Sequence, residues 1–552
     1  MHQYFSVDAA WAEAAAAGIC SRNGIVLKDA IAKAEQGIPV QIKNDSAPTL
    51  HNAIRWTHAA LEDACTRYLH QHGRSLRLTR LSKPTPAVEA LNEAERASCR
   101  ELVVRVAITG TLTDFQRRAR KCVWQDSSSP PSSSALSPPR TGTSALAQRE
   151  GVGDAELERS VQTTLLKGLL FAFEAFQESH SMNRDHYPPR MDGNTPGTVG
   201  WDTLVLLYLV HRIPQVARHA SGSAIDDSIG QVIRTWRKLL VALQSVDADE
   251  APEHSRRRGA LSLVNGLLII LFQRYNTHQC AVLLGAVEHA EKVAESSKEP
   301  ARSIVHPSRH MVSEVVTYHY YQGRMRLYER RLDEAHKILR EAYTLLPPAG
   351  FGNEPQRLNK ERVRFFLAVA GVANGRRIPA EVRGADAELL TRLFGGLTAA
   401  MERGDPVRFS AELDRHAPTF HRRGVYLILQ QAKILCYLMV VARVHAAMAA
   451  LPGVDSSRVT LPTLLAAYTY ITGAEPHSGK SSATPTKRSR DSEATSPVVE
   501  AQMAESAMDE DRMALWIAKL IARGYVRGYY SHEHKTLVLS KKAPFPLLQE
   551  GA

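Results

Sequence analysis

Lys519, Arg523, Arg527, Lys535, Lys541 and Lys542 stand against one acid, Glu533, between Ala514 and Phe545, with His532 and His534 among them. Cations at this density neutralise the phosphates of a nucleic-acid backbone, a mode that ignores base sequence and weakens with salt. The same lysines can instead guard an exposed sheet edge and keep a hairpin soluble. Lys519 and Arg523 are four apart, so a helix puts both on one face. His532-x-His534 supplies half a metal site, but no Cys or carboxylate cluster at ligand spacing completes it. No metal or cofactor is expected.

Other candidate chemistry is weaker. Gly473–Ser481 (GAEPHSGKS) imitates a phosphate-binding loop, but five residues separate its glycines where four are needed, and no strand precedes it. Thr484–Glu493 (TPTKRSRDSE) reads either as a nuclear-localisation or phosphorylation tract or as a charged flexible loop. A second basic run, including Arg324, Arg330 and Arg331, is either a solvated face or an attractor for an acidic partner. No G-x-S-x-G or H-E-x-x-H motif is present, and carboxylates are dispersed, so the chain is expected not to be an enzyme.

The elements that must position the basic cluster are legible. Leu515, Ile517, Ala518, Leu520, Ile521 and Ala522 predict the apolar face of a helix. Gly524 is placed to end it in a left-handed C-cap. Val526–Tyr530 and Thr536–Ser540 are rich in β-branched and aromatic residues and predict a hairpin across Ser531–Lys535. Helix, break and hairpin together predict the closing half of a winged helix.

The chain has 552 residues and a formal charge of +12. That length allows several domains or one extended solenoid, and the charge favours acidic partners. Six cysteines without CxxC pairs fit a reducing compartment. The N-terminal residues lack the basic and apolar regions of a signal peptide, and no uninterrupted apolar stretch nears the roughly 20 residues of a membrane span. A soluble intracellular protein with no membrane insertion is the expectation.

Upstream, apolar residues recur at helical spacing in segments such as Val161–Gln177, Thr203–Ala217, Ser228–Leu243, Gly259–Tyr275, Val312–Glu329, Leu332–Leu346, Pro379–Leu393 and Tyr426–Ala450. Convincing strands are few before Val526. One pair of helices matches a tetratricopeptide unit, with Gly323, Ala335, Ala342 and Pro347 at the small-residue and proline positions. The expected organisation is an N-terminal helical region over 1–125 and a Ser/Pro-rich disordered insert over 126–153. A helical-repeat solenoid follows over 154–452. A winged-helix part over 453–552 carries a disordered insert at 473–500. The fold class is mostly α: a TPR-like solenoid ending in a winged helix.

That layout is the layout of PCI domains, and four segments resemble one family closely. SLVNGLLIILFQRYN (Ser262–Asn276), VTYHYYQGRMRLYERRLDEAHKIL (Val316–Leu339), FHRRGVYLILQQAKILCY (Phe420–Tyr437) and LIARGYVRGYYSHEHKTLVLSKKAPFPLL (Leu520–Leu548) are similar to PCI domain-containing protein 2 and the related signalosome subunit twelve. The last is the most specific, with its P-F-P tail at Pro544–Pro546. The two inserts are departures from the family pattern.

The resemblance implies a scaffold subunit of the nuclear transcription-and-export complex, associated with the nuclear pore. Its implied partners are a large export scaffold subunit, a small acidic disordered protein, and RNA or double-stranded DNA. The basic residues named first, with His532 and His534, would touch nucleic acid, while Arg324, Arg330 and Arg331 would meet a protein partner. The alternative it implies is a PCI subunit of the signalosome or proteasome lid, acting only in assembly.

Overall fold

The computed structural model describes residues 5–36, 40–42, 50–78, 93–94, 96–113, 143–182, 202–220, 224–244, 256–296, 303–305, 310–347, 354–375, 388–473 and 508–546. Residues 126–142 of the Ser/Pro-rich stretch and 474–500 of the second insert lie outside them. The chain divides into two compact units, Met1–Tyr318 and His319–Ala552.

In the first unit, Asp8 accepts hydrogen bonds from the Ala10 and Trp11 N–H groups and starts α1 (Ala9–Cys20). Asn23 does the same for α2 (Gly24–Glu35). Such caps satisfy N–H groups that the helix itself leaves orphaned. A two-stranded antiparallel ribbon of β1 (Phe5–Val7) and β2 (Val40–Ile42) flanks them. Then come α3 (Leu50–Leu78), α4 (residues 96–113), α5 (Thr143–Met182), α6 (Thr203–His219), α7 (Ala224–Gln244), α8 (Gly259–Gln273) and α9 (Thr277–Ser296). The segment 143–153 was expected to be disordered. It is instead the start of α5, where Ala, Leu, Gln, Arg and Glu supply enough helix propensity. The half-buried Arg212 donates to the Glu35 carboxylate at 2.6 Å and the Tyr208 hydroxyl donates to its other oxygen, binding α2 to α6.

The second unit begins inside α10 (Val312–Tyr328). It continues through α11 (Leu332–Thr344), α12 (Glu354–Ala373), α13 (Glu388–Arg403), α14 (Pro406–Arg415), α15 (Ala417–Arg422), α16 (Tyr426–Ala432) and α17 (Ile434–Ala449). Residues 376–387, which hold most of the helix expected over Pro379–Leu393, lie outside the described residues; α13 starts only at Glu388. The tetratricopeptide match is realised in packing. A Cβ on Gly323 would come 2.5 Å from Leu339 Cγ, so α10 and α11 approach closely only because residue 323 has no side chain. Ala335 and Ala342 are fully buried. Phe365, Phe394 and Phe420 form a ladder of rings 5.5 and 5.6 Å apart through the core.

Tyr426–Ala449 is, against expectation, long and apolar enough to cross a bilayer. Ile428, Leu435, Cys436, Leu438 and Val441 are buried inside the second unit, so the apolar character serves the core. That core runs unbroken from Leu327 and Leu339 through Phe394 and Leu438 to Ile517, Leu537 and Phe545.

Candidate nucleic-acid interface

The C-terminal half of that core is a winged helix. β3 (Arg458–Thr460) leads into α18 (Leu461–Thr472); after the insert come α19 (Glu510–Ala522), β4 (Gly528–Ser531) and β5 (Thr536–Leu539). The sheet order is β3-β5-β4, all antiparallel, with Val459 opposite Leu537 and Tyr530 opposite Leu537. β3 was not foreseen. Three residues carry too little periodicity to announce a strand, and its register exists only through β5.

Asp509 caps α19 by accepting the Arg512 N–H at 2.7 Å. Glu510 and Asp511 occupy the first turn, where negative charge complements the helix dipole. The helix ends as expected at Gly524, whose φ is +72° and whose N–H donates to the Ile521 carbonyl. Its buried face differs from expectation. Met513, Ile517 and Leu520 enter the core, whereas Leu515 is 53% exposed. The helix is rotated so that Trp516 stacks on Tyr437 with centroids 4.3 Å apart and planes 13° from parallel. Tyr437 in turn lies parallel to Tyr468.

Each cation has a distinct setting. Lys519 projects over the Trp516 ring, its Nζ 4.4 Å from the centroid, so its stem is held while the charge stays at the surface. Arg523 is exposed at the C-cap of α19. Arg527 lies in an extended stretch pinned by two hydrogen bonds: its N–H donates to Pro544 O at 2.9 Å, and its carbonyl accepts the Ser540 N–H at 2.8 Å. The P-F-P tail closes that loop by burying Phe545 edge-on to the His445 ring.

The hairpin turn is less cationic than the sequence suggests. Lys535, at φ +46°, donates to the Glu510 carboxylate, and that pair raises the lysine pKa. Glu510 lies just upstream of the window in which Glu533 was the only acid. His532 sits edge-on to Tyr530, and the His534 N–H donates to Ser531 Oγ. Among the described residues no three His, Cys, Asp or Glu side chains converge to hold a metal ion. Lys541 and Lys542 are exposed beyond β5. Asp455 is held below the usual carboxylate range, first by hydrogen bonds from Ser457 and then by the Lys541 and Arg458 charges.

The three arginines assigned to a protein partner separate. Arg324 is enclosed by aromatic rings, 4.6 Å from the Phe366 centroid and 5.4 Å from that of Tyr320, with a 3.1 Å hydrogen bond to the Tyr328 hydroxyl. Arg331 is paired with Glu334 at 2.6 Å. Arg330 forms the turn between α10 and α11 in a left-handed conformation, φ +67°, and is exposed. Its guanidinium pKa is lowered by partial burial and then by repulsion from Arg523. The structure thus relates two clusters that the sequence kept apart: Arg330 feels the positive charge of Arg523.

Helical hairpins fused through one core to a terminal winged helix define the PCI-type fold. The chain is similar to PCI domain-containing protein 2 of Xenopus laevis, with 23% identity over 323 residues, covering 58% of this chain and 66% of that protein. It is likewise 24% identical to PCI domain-containing protein 2 of Danio rerio over 297 residues, 54% of this chain and 59% of the relative. COP9 signalosome complex subunit 12 of Eremothecium gossypii is 32% identical over 155 residues, 28% of this chain and 30% of that subunit. No protein-family model matches the chain. The chain is therefore a relative of the PCI domain-containing protein 2 and signalosome subunit twelve group, as the sequence resemblance indicated. The matches span about three fifths to two thirds of the PCI domain-containing protein 2 relatives' length.

Proposed function

We propose that this chain is a non-enzymatic PCI scaffold subunit of a nuclear transcription-and-export complex, located at the nuclear pore. It pairs with a large scaffold subunit and holds nucleic acid by its backbone. The observation that carries this reading is the set of exposed cations Lys519, Arg523 and Arg527 at and just beyond the C-terminal end of α19, with Arg330 feeling the charge of Arg523. A solvated face gains nothing from mutual repulsion between Arg330 and Arg523, whereas a phosphate between them relieves it. Binding through this end also avoids the acidic first turn of α19, where Asp509, Glu510 and Asp511 would repel phosphate.

A mobility-shift assay of the chain with its scaffold partner tests the reading. Lys519→Glu, Arg523→Glu and Arg527→Glu together should weaken nucleic-acid binding and flatten its salt dependence while the complex still assembles. Unchanged affinity with failed assembly makes the winged helix a protein interface only. The similarity to a signalosome subunit supports that second reading, assembly within a signalosome. Proteins recovered with the tagged chain separate the two: an export scaffold with a small acidic protein, or signalosome subunits.

A further inference from the structure

The β3-β5-β4 register places one row of the sheet on its solvent side. Arg458 lies opposite Val538, and Val538 opposite Tyr529. The neighbouring row, Val459, Leu537 and Tyr530, faces the core, and Val459 and Leu537 are buried. On the outer face the Tyr529 ring is 62% exposed and free to meet a ligand. Arg527, two residues earlier, shares its face by strand alternation and is exposed. The cross-strand neighbour of Tyr529 on this face is Val538, and the next pair on the face, Ser531 with Thr536, is hydroxylated. The result is a shallow platform: one projecting aromatic ring, with Arg527 two residues along its strand, Arg458 across Val538 on β3, and hydroxyl groups beyond. Asp455, within 3.8 Å of the Arg458 guanidinium, borders it.

We infer that this sheet face binds single-stranded RNA, with an unpaired base stacked on Tyr529 and flanking phosphates on Arg527 and Arg458. The inference rests on the nucleic-acid reading above and names its ligand class. Every base offers a π face to an aromatic ring, and a positively charged surface beside the ring tracks the backbone. A duplex keeps its bases stacked and paired, so it cannot use Tyr529 in this way. The arginines favour a polyanion over an apolar peptide, and Val538 beside the ring offers a base an apolar edge. Stacking is independent of the α19 end, where only charge is read.

The test is fluorescence anisotropy on the full chain, with a short labelled single-stranded oligouridylate and a short duplex DNA as probes. Tyr529→Ala should weaken the RNA complex about tenfold, leave the duplex complex and the salt slope unchanged, and preserve the melting temperature. Tyr529→Phe should keep wild-type affinity. Equal RNA affinity for Tyr529→Ala and wild type overturns the platform while leaving the α19 surface standing. Loss of the scaffold partner without loss of RNA would make Tyr529 a protein contact and also overturn it. A wild-type chain that binds neither probe, alone or with the scaffold partner bound, overturns both readings.

Discussion

Lys535 at the hairpin turn is ion-paired to Glu510 in the first turn of α19, so the helix start and the wing tip are fastened by opposite charges. The contact spends one of the basic residues on the fold. Glu510→Gln should release it, and affinity for single-stranded RNA should rise with the log-log salt slope steeper by about 0.7. The raised Lys535 pKa fixes the pH range. The pair's contribution is fully present below the ordinary lysine pKa and is lost only as pH rises through the higher folded value. The gain on mutation should therefore be constant from neutral pH up to the ordinary lysine range, and anisotropy titrations across that range check it.

Gly528 lets β4 and β5 approach closely in the wing. A Cβ there would lie 2.1 Å from the Val538 carbonyl oxygen, a backbone atom that moves only if β4 and β5 separate. Gly528→Ala is expected to cost about 1–3 kcal/mol, the range of overpacking changes. Chemical denaturation measures that loss, and wing-dependent RNA binding should fall with it.

The tetratricopeptide hairpin offers a coupled pair. Gly323→Ala places a methyl against Leu339, and Leu339→Ala empties a fully buried site at a cost of about 2–5 kcal/mol. Together they should cost less than the sum, because the clash disappears when Leu339 is cut back. A double-mutant cycle by denaturant melts reads the difference; strict additivity would mean that the two helices do not meet at Gly323.

Trp516 bridges the core and the basic surface. Trp516→Leu should abolish the stacking on Tyr437 and free the Lys519 side chain, lowering stability and reducing the near-ultraviolet circular dichroism of the aromatic stack. Nucleic-acid affinity should fall by less than it does with Lys519→Glu, because the charge remains while its orientation is lost.

The sequence was most informative where structure is local. Helical spacing located Thr203–Ala217 and Leu332–Leu346 within a few residues of α6 and α11, and Gly524 marked the helix end. The hairpin turn fell where Ser531–Lys535 predicted it, because β-branched and aromatic residues stop on either side. What escaped was set by distance along the chain. β3 exists only because Val459 finds Leu537, and the Glu510–Lys535 pair crosses 25 positions. The approach of Arg330 to Arg523 joins residues nearly two hundred positions apart. The buried face of α19 was misread at Leu515 for a related reason: aromatic stacking on Tyr437 decides the helix rotation, and that partner lies on α17.

The most direct measurement is the salt dependence of RNA affinity for the wild-type chain and for the Lys519→Glu, Arg523→Glu, Arg527→Glu variant, each with the scaffold partner bound. A backbone-binding surface predicts a steep wild-type slope that becomes shallower by about two units when three phosphate contacts are removed. Affinity should fall most at low salt, with the protein complex intact. Superimposable curves for the two proteins would contradict the account and leave the basic end of α19 with a role in assembly alone.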